Sequence, residues 1–205
     1  VPNGEDESSN HIIEEIGNIP EFSFEPKSHS VFVEKTDQGR GVKIAKSRFT
    51  VLSGELAKLH RVIGQFMIDT HANIHGYEEL YVPYIVNKSS LIGTGQLPKF
   101  EEDLFKLTET PDLYLAPTAE VPVTNLHRDE KLKLEQLPLK YVCHSPCFRS
   151  EAGSYGKDTK GLIRQHQFDK VELVKICHPD KSEDEHKKLI EDASKILELL
   201  ELPYR

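Results

Sequence analysis

Two stretches of the chain set an arginine, carboxylates and an aromatic ring at intervals that chemistry can use. They are Cys147-Phe148-Arg149-Ser150-Glu151 and Arg164-Gln165-His166-Gln167-Phe168-Asp169-Lys170-Val171-Glu172. Both read as strand, with a polar, glycine-containing loop over 150–163 between them. Side chains alternate across a strand, so Arg149 and Glu151 share one face, and Phe168 and Glu172 can share one too. Arg164, His166, Phe168, Lys170 and Val171 cannot all face alike. A single sheet face can therefore present a guanidinium, carboxylates and a ring together. A guanidinium fork matches carboxylate or phosphate oxygens two at a time, and a phenyl face stacks on any base. Spacing alone favours a plainer alternative, a solvated hairpin with surface ion pairs. A basic tip of Lys157, Lys160 and Arg164 is likewise usually solvated surface.

Other candidate groups carry less. Cys143-His144-Ser145-Pro146-Cys147 has neither zinc-knuckle nor haem-attachment spacing, and Cys177 stands alone. Three cysteines form no disulfide framework, so reduced, partly buried thiols in a reducing compartment are expected. The ten histidines show no metal-ligand spacing. His166, within a strand, is read as a packing or hydrogen-bonding residue without a catalytic role. No Ser-His-Asp set is evident. The net charge of −8 makes the surface as a whole no magnet for nucleic acid, so any RNA contact must come from a local basic cluster. Hydrophobic residues at 37% and charged residues at 29% are ordinary for a soluble protein, and no apolar run is long enough to cross a bilayer. The acidic, polar start Val1-Pro2-Asn3-Gly4-Glu5-Asp6-Glu7 is neither a secretory signal nor a transit peptide, and it reads like a linker cut from something longer.

The elements that must position these groups follow from patterning. A chain of 205 residues can bury one real core. Residues 1–28 read as extended, with Pro20, Phe22 and Phe24 anchoring onto that core. A glycine-rich turn at Gln38-Gly39-Arg40-Gly41 precedes a strand at Phe49-Thr50-Val51-Leu52. A helix follows, capped by Ser53, apolar at Leu56, Leu59, Ile63, Phe66 and Met67, and stopped by Gly76 in the C-cap position. Residues 77–86 read as one strand, which Pro83 confines to an edge or an interface. Residues 103–107 and 113–116 read as a hairpin, and a helix starts near Thr118. Strands cover 139–148 and 165–177. The last helix opens on a capping box, Ser182 with Glu185, and turns Leu189, Ile190, Ala193, Ile196, Leu199 and Leu200 inward. Residues 202–205 look like the approach to a further strand. Antiparallel strands with flanking helices give the class α+β.

Four words read in order change the weighting. They are Gly93-Thr94-Gly95-Gln96-Leu97-Pro98-Lys99-Phe100; Pro117-Thr118-Ala119-Glu120-Val121-Pro122; Phe148-Arg149-Ser150-Glu151-Ala152-Gly153-Ser154-Tyr155-Gly156; and Gly161-Leu162-Ile163-Arg164 running on to Phe168-Asp169-Lys170-Val171-Glu172. In order and spacing they resemble the seryl-tRNA synthetases of bacterial type, over nearly all of 10–205. The resemblance implies a class II aminoacyl-tRNA synthetase-like antiparallel sheet flanked by helices. It implies a linker over 1–28 and part of the catalytic domain over 29–205, with motif 1, the dimer interface, at about 53–86 and motif 2 at about 139–177.

The same resemblance implies roles. Thr118, Ala119, Glu120, Arg149 and Glu172 fall on serine-binding positions. Arg149, Ser150, Glu151, Arg164, Gln165, His166, Gln167 and Phe168 fall on ATP-binding positions, with Phe168 stacking on adenine and Glu151 beside it. Arg149, the catalytic residue implied, would contact both the α-phosphate and the serine carboxylate. The implied reaction has two steps, formation of seryl-adenylate from serine and ATP with Mg2+, then transfer to tRNA(Ser), whose acceptor end the loop over 150–163 would approach. A cytoplasmic homodimer is implied, and no membrane. Positioning and electrostatics would dominate such catalysis. A pocket that hydrogen-bonds a hydroxyl can reject the analogue lacking it by roughly four to five orders of magnitude.

The chain also departs from the family's pattern. The N-terminal tRNA-binding helical hairpin and motif 3 are absent, and so are the acidic metal ligands, so no metal ligand is expected within this chain. Lys46 stands before Ser47-Arg48-Phe49 where the family usually carries glycine, and 30–46 fit poorly. The isolated chain is therefore expected to be inactive alone. Two rivals remain: a synthetase-like ligase charging a carrier protein, which the retained loop at 153–164 argues against, and a non-catalytic truncated paralogue acting as a binding or dimerisation module.

Overall fold

In the computed structural model the described residues are 4, 6–29, 31, 38–152 and 162–205. The basic pair Lys157 and Lys160, the loop from 153 to 161 and most of 30–37 lie outside them. The frame of the molecule is a long hairpin of β-branched and aromatic residues, β4 (Leu139–Phe148) and β5 (Gln167–Ile176), paired antiparallel from Leu139↔Ile176 to Phe148↔Gln167. That register puts Tyr141, Cys143, Ser145 and Cys147 on one face with Phe168, Lys170, Glu172 and Val174. Val142, His144, Val171 and Leu173 take the other.

On the far edge of β4 the short β1 (Glu78–Glu79) pairs parallel, giving the sheet order β1-β4-β5. Pro146 is tolerated in mid-strand for a local reason. The Val142 carbonyl and the Phe148 N–H point away from β5, so Pro146 lacks its donor on the side where β1 has already ended.

Each face of the hairpin is covered by helix. Behind it lies α2 (Gly54–Asn73), which buries Ile68 with Tyr77 and Val142 beside Ala72, Val171 and Leu173. Gly64 makes this approach possible, since a Cβ there would stand 2.9 Å from the His144 ring. His60 Nε2 lies 2.8 Å from Asp169 Oδ2 and ties α2 to β5. Across the front lies the five-residue α4 (Glu120–Thr124), whose Val123 packs with Ala119, Val82, Tyr141 and Cys143. A third cluster of Val86, Leu91, Leu97, Leu104, Tyr114, Ala116 and Val121 joins α4 to α3 (Lys88–Gly93) and to a two-stranded ladder. That ladder is β2 (Ile85–Asn87) with β3 (Leu113–Leu115). The C-terminal α5 (Ser182–Leu199) packs beside β5 and α2.

Several local expectations are corrected. The strand over 77–86 is two strands in two sheets, divided around Pro83. The hairpin at 103–116 is present but short: Lys106 bridges Tyr114, the Leu107 and Leu115 N–H groups donate to the Leu113 and Phe105 carbonyls, and β3 pairs with β2 as well. Residues Gln38–Ala45 form helix α1 and not a glycine turn. Gly41 serves close packing there, since a Cβ would stand 2.1 Å from the Phe49 carbonyl oxygen. Residues 49–52 make no strand, although the Arg48 carbonyl accepts a hydrogen bond from the His166 N–H. Phe22 and Phe24 rest on each other, mostly exposed, and Pro20 is exposed as well, so none of the three anchors onto the core.

The helix ends differ too. Ser53 is the N-cap of α2 without a side-chain bond, and Ile74 is its C-cap, with Gly76 two residues on at φ 69°. Ser182 closes no capping box, because Glu185 turns inward to Lys175 and Lys188. Of the face expected to be buried on α5, Ile196 is buried, whereas Ile190, Leu199 and Leu200 are exposed. Tyr204 forms an antiparallel bridge with Ile16.

Candidate active site

The chemistry gathers on the front face of the hairpin, where α4 begins. Alternation along β5 carries Phe168, Lys170 and Glu172 to that face. The turn into α4 brings Thr118, 4% exposed, over them. Thr118 Oγ1 donates to Glu172 Oε2 at 2.8 Å and accepts from Lys170 Nζ at 2.7 Å and from the Glu120 N–H at 3.2 Å. A hydroxyl has one hydrogen and two lone pairs, so Thr118 is fully used. Lys170 Nζ also lies 2.5 Å from Glu172 Oε2. Ala119 is wholly buried and sets the depth of the turn.

Arg149 lies just past the end of β4. Its N–H donates to the His166 carbonyl at 2.9 Å, its Nε donates to the Pro117 carbonyl at 3.2 Å, and its guanidinium lies 5.3 Å from the centre of the Phe168 ring. A cation on one face of a ring leaves the opposite face for a second planar group. Arg149, Thr118, Glu120, Glu151 and Arg164 line a cavity of about 350 Å3, closed by Gln96, Phe100 and Asp103. Arg164 pairs with Glu151 at 3.2 Å, and Glu151 takes a left-handed backbone, φ 51°.

The remaining expected residues separate into two groups. Ser150 turns away from the cavity: its hydroxyl donates to the Glu102 carbonyl and its N–H to the Asp103 carbonyl. His166 Nδ1 lies 3.0 Å from the Arg149 carbonyl oxygen, with the ring between Phe49 and Phe105, so it braces the Arg149 backbone. Gln165 accepts from the Thr50 hydroxyl at 2.6 Å, and Gln165 and Gln167 face a second, larger cavity of about 520 Å3. Phe49, His60, Phe168 and Asp169 also line that space. It lacks Arg149, Thr118 and Glu120, and its lining is mainly apolar, so the smaller cavity is the one with chemistry.

Asp103 and Lys170 were not singled out from the sequence. Asp103 Oδ1 accepts from the Ala152 N–H at 3.0 Å, which together with its bond to Ser150 holds the start of the loop after β4. Nothing local in the sequence marks it. Lys170 was legible, since it stands at the even spacing between Phe168 and Glu172. Beneath this surface burial pushes the Cys143 thiol up to about 11. Burial also raises Cys147, against the lowering effects of a Ser145 hydrogen bond, Lys170 and Arg149. Both are packing thiols and not nucleophiles. Among the described residues no group of three or more His, Cys, Asp or Glu side chains is placed to hold a metal ion, and none of the described helices is long and apolar enough to cross a membrane.

Known proteins resemble the chain in sequence and in fold. Residues 104–205 match the family model described as the tRNA synthetase class II core domain (G, H, P, S and T). Over its whole length the chain is 59% identical to the serine–tRNA ligase of Dechloromonas aromatica (strain RCB), of which it covers 49%. It superposes on the crystal structure of seryl-tRNA synthetase from Pyrococcus horikoshii complexed with ATP at a TM-score of 0.93 and 35% identity, covering 100% of this chain and 51% of that one. With the cytoplasmic serine–tRNA ligase of Naegleria fowleri in complex with AMP the TM-score is 0.91 at 30% identity, covering 98% of this chain and 49% of that one. The chain thus spans about half the length of the curated relatives it matches. Matched to the class II model through its site-bearing half, and to serine–tRNA ligases from end to end, the chain belongs to the class II aminoacyl-tRNA synthetases of the seryl type.

Proposed function

We propose that the protein carrying this chain is a serine–tRNA ligase, which activates serine with ATP and transfers the seryl group to tRNA(Ser). The observation that carries the proposal is a linked set on the front face, Arg149 beside the Phe168 ring and Thr118 bonded to Glu172, with Arg149 and Thr118 lining the cavity of about 350 Å3. Residues 1–28 act as a linker and 29–205 as part of the catalytic domain, with motif 1 at about 53–86 and motif 2 at about 139–177.

Arg149 holds the serine carboxylate and the α-phosphate together. The carboxylate oxygen attacks phosphorus, pyrophosphate leaves, and the guanidinium carries the charge that builds on the phosphoryl oxygens. Its anchorage to the Pro117 carbonyl and to Phe168 means that little reorganisation is needed at that moment. The open face of Phe168 receives the adenine. Glu151, with Arg164, edges that base, Ser150, Gln165 and His166 contribute through the backbone they brace, and Gln167 borders the nucleotide beside Phe168. Thr118, Ala119, Glu120 and Glu172 form the serine pocket, in which carboxylates take up the ammonium and the hydroxyl. Mg2+ enters with ATP as the counter-ion of its phosphates, and no step is assigned to a metal held by these residues.

A homodimer through motif 1 is supported by apolar side chains that α2 and the β1–β2 segment leave in solvent, Leu59, Val62 and Tyr81 among them. A cytoplasmic location accords with the free thiols and the tRNA substrate. The test is serine-dependent exchange of pyrophosphate into ATP by the complete enzyme, followed by charging of tRNA. Exchange with serine and seryl-tRNA as product supports the proposal. Exchange with a different amino acid, or a seryl group found on a carrier protein, overturns it.

A further inference from the structure

Lys170 has no assigned part in the site, yet it touches two of the groups that do. Its ammonium donates to Thr118 Oγ1 at 2.7 Å and lies 2.5 Å from Glu172 Oε2, and the Thr118 hydroxyl donates to that same oxygen at 2.8 Å. Both contacts to Glu172 fall on Oε2. The second carboxylate oxygen, Oε1, has no hydrogen-bond partner among the described residues. Thr118 lines the cavity, and beside it the side chains of Lys170 and Glu172 stay partly open, 32% and 20% exposed. Lys170 and Arg149 also both flank Cys147, which sets two cations on this face beside Glu172 and Glu120.

We propose that Lys170 is a positioning residue that determines which ligands the amino acid pocket accepts. With Thr118 it pins Glu172 by one oxygen, fixing the carboxylate so that Oε1 alone is left for the ligand. Pinning also cancels one negative charge. Glu151 and Arg164 offset each other and Asp103 is held by the Ala152 N–H, so around Thr118 stand Arg149, Lys170, Glu120 and Glu172, two cations and two anions. Such a face suits a zwitterion, with its carboxylate on Arg149 and its ammonium and hydroxyl toward Oε1 and Glu120. Without Lys170 two carboxylates would face a single guanidinium, and the pocket would favour an amine that lacks a carboxylate. A carboxylate relieved of one of its two holders would also sample other rotamers, which costs the bound hydroxyl its partner.

The inference rests on the function proposed above, and the test separates the two. Pyrophosphate exchange is measured on the complete enzyme as wild type, Lys170→Met and Lys170→Arg, with serinamide as a cationic competitor. For Lys170→Met we expect the KM for serine to rise roughly tenfold, the size of one lost charge-assisted hydrogen bond. The KM for ATP and the melting temperature stay near wild type, and the Ki of serinamide stays level or falls. Lys170→Arg returns most of the serine KM. A rise of serine KM and serinamide Ki together signals general loosening of the pocket and overturns the proposal. So does an unchanged or lowered serine KM, or an arginine variant no better than methionine. Absence of serine-dependent exchange in the wild type overturns the proposed function, and the role of Lys170 with it.

Discussion

Two lysines in the same hairpin strand meet carboxylates on opposite faces, and their fates differ. On the back face Lys175, its side chain 5% exposed, lies 3.3 Å from Glu185 and 3.4 Å from Asp192 of α5 and 5.6 Å from the centre of the Tyr77 ring. Asp192 also accepts from the Tyr77 hydroxyl at 2.7 Å and lies 3.7 Å from His75. Both oxygens of each carboxylate have partners there, since Glu185 holds Lys188 with its other one. On the front face Lys170 and Thr118 saturate one oxygen of Glu172 and leave the other. The ingredients are alike; spare bonding capacity beside a cavity is what separates a site from a strut. Buried polar clusters with every member satisfied hold a fold together, and those with a member to spare can receive a ligand.

The comparison can be broken at several points. Arg149→Ala should do the greatest damage, lowering kcat for pyrophosphate exchange roughly 10³-fold, as loss of a preorganised charge-stabilising donor does. Lysine there should restore little, because one ammonium cannot replace the fork that reaches Pro117 and the ligand together. Glu172→Gln keeps the shape of the pocket and removes its charge, so kcat/KM for serine should fall about 10²-fold while the melting temperature barely moves. Lys175→Met should show the reverse pattern. It leaves Glu185 and Asp192 facing each other in a mostly buried setting, at a cost of about 2 kcal/mol after allowance for their partial exposure. Calorimetry should read this as a melting temperature several degrees lower, with exchange activity in the cold close to wild type. If Lys175→Met abolished activity in folded protein, or if Glu172→Gln destabilised as much as Lys175→Met, strut and site would not be distinct.

A smaller effect concerns His71 on the back face. Burial, and next the neighbouring His75, push its pKa below the usual 6.5, against the opposing influence of Asp192. The unfolded chain therefore takes up this proton more readily than the folded one. The contribution of neutral His71 to stability is complete above about pH 6.5 and is lost as pH falls toward its lowered folded value. Urea titrations between pH 8 and 5 should show stability declining in the acid half of that range, and His71→Gln should flatten the decline. An identical slope in the variant would remove His71 from the account.

The front face was largely legible in the sequence and the back face was not. Period-two alternation on a ten-residue strand is a strong signal, so Phe168 and Glu172 could be assigned a common face, and Arg149 joined them by the same rule along β4. Lys170 obeyed that rule and was still passed over, because a lysine beside a glutamate is most often surface decoration. The strut eluded sequence reasoning because its partners, Tyr77, Lys175 and Asp192, come from three elements whose packing no local pattern encodes. The same holds for Asp103, which fixes Ser150 and Ala152 from 47 and 49 residues away. Local rules failed where a core overrode them. Val82 and Val86 went to separate cores and split the strand expected over 77–86, Gly41 was wanted for contact with Phe49, and Glu185 abandoned its capping role for Lys175.

The most direct test of the central claim is a crystal structure of the complete enzyme with a non-hydrolysable seryl-adenylate analogue. The account predicts adenine on the open face of Phe168, the phosphate mimic within hydrogen-bond reach of Arg149, and the seryl ammonium or hydroxyl on Glu172 Oε1, with Lys170 still on Oε2. An analogue bound away from Phe168 and Arg149, or one bound on the front face with Glu172 turned away from it, would contradict the account.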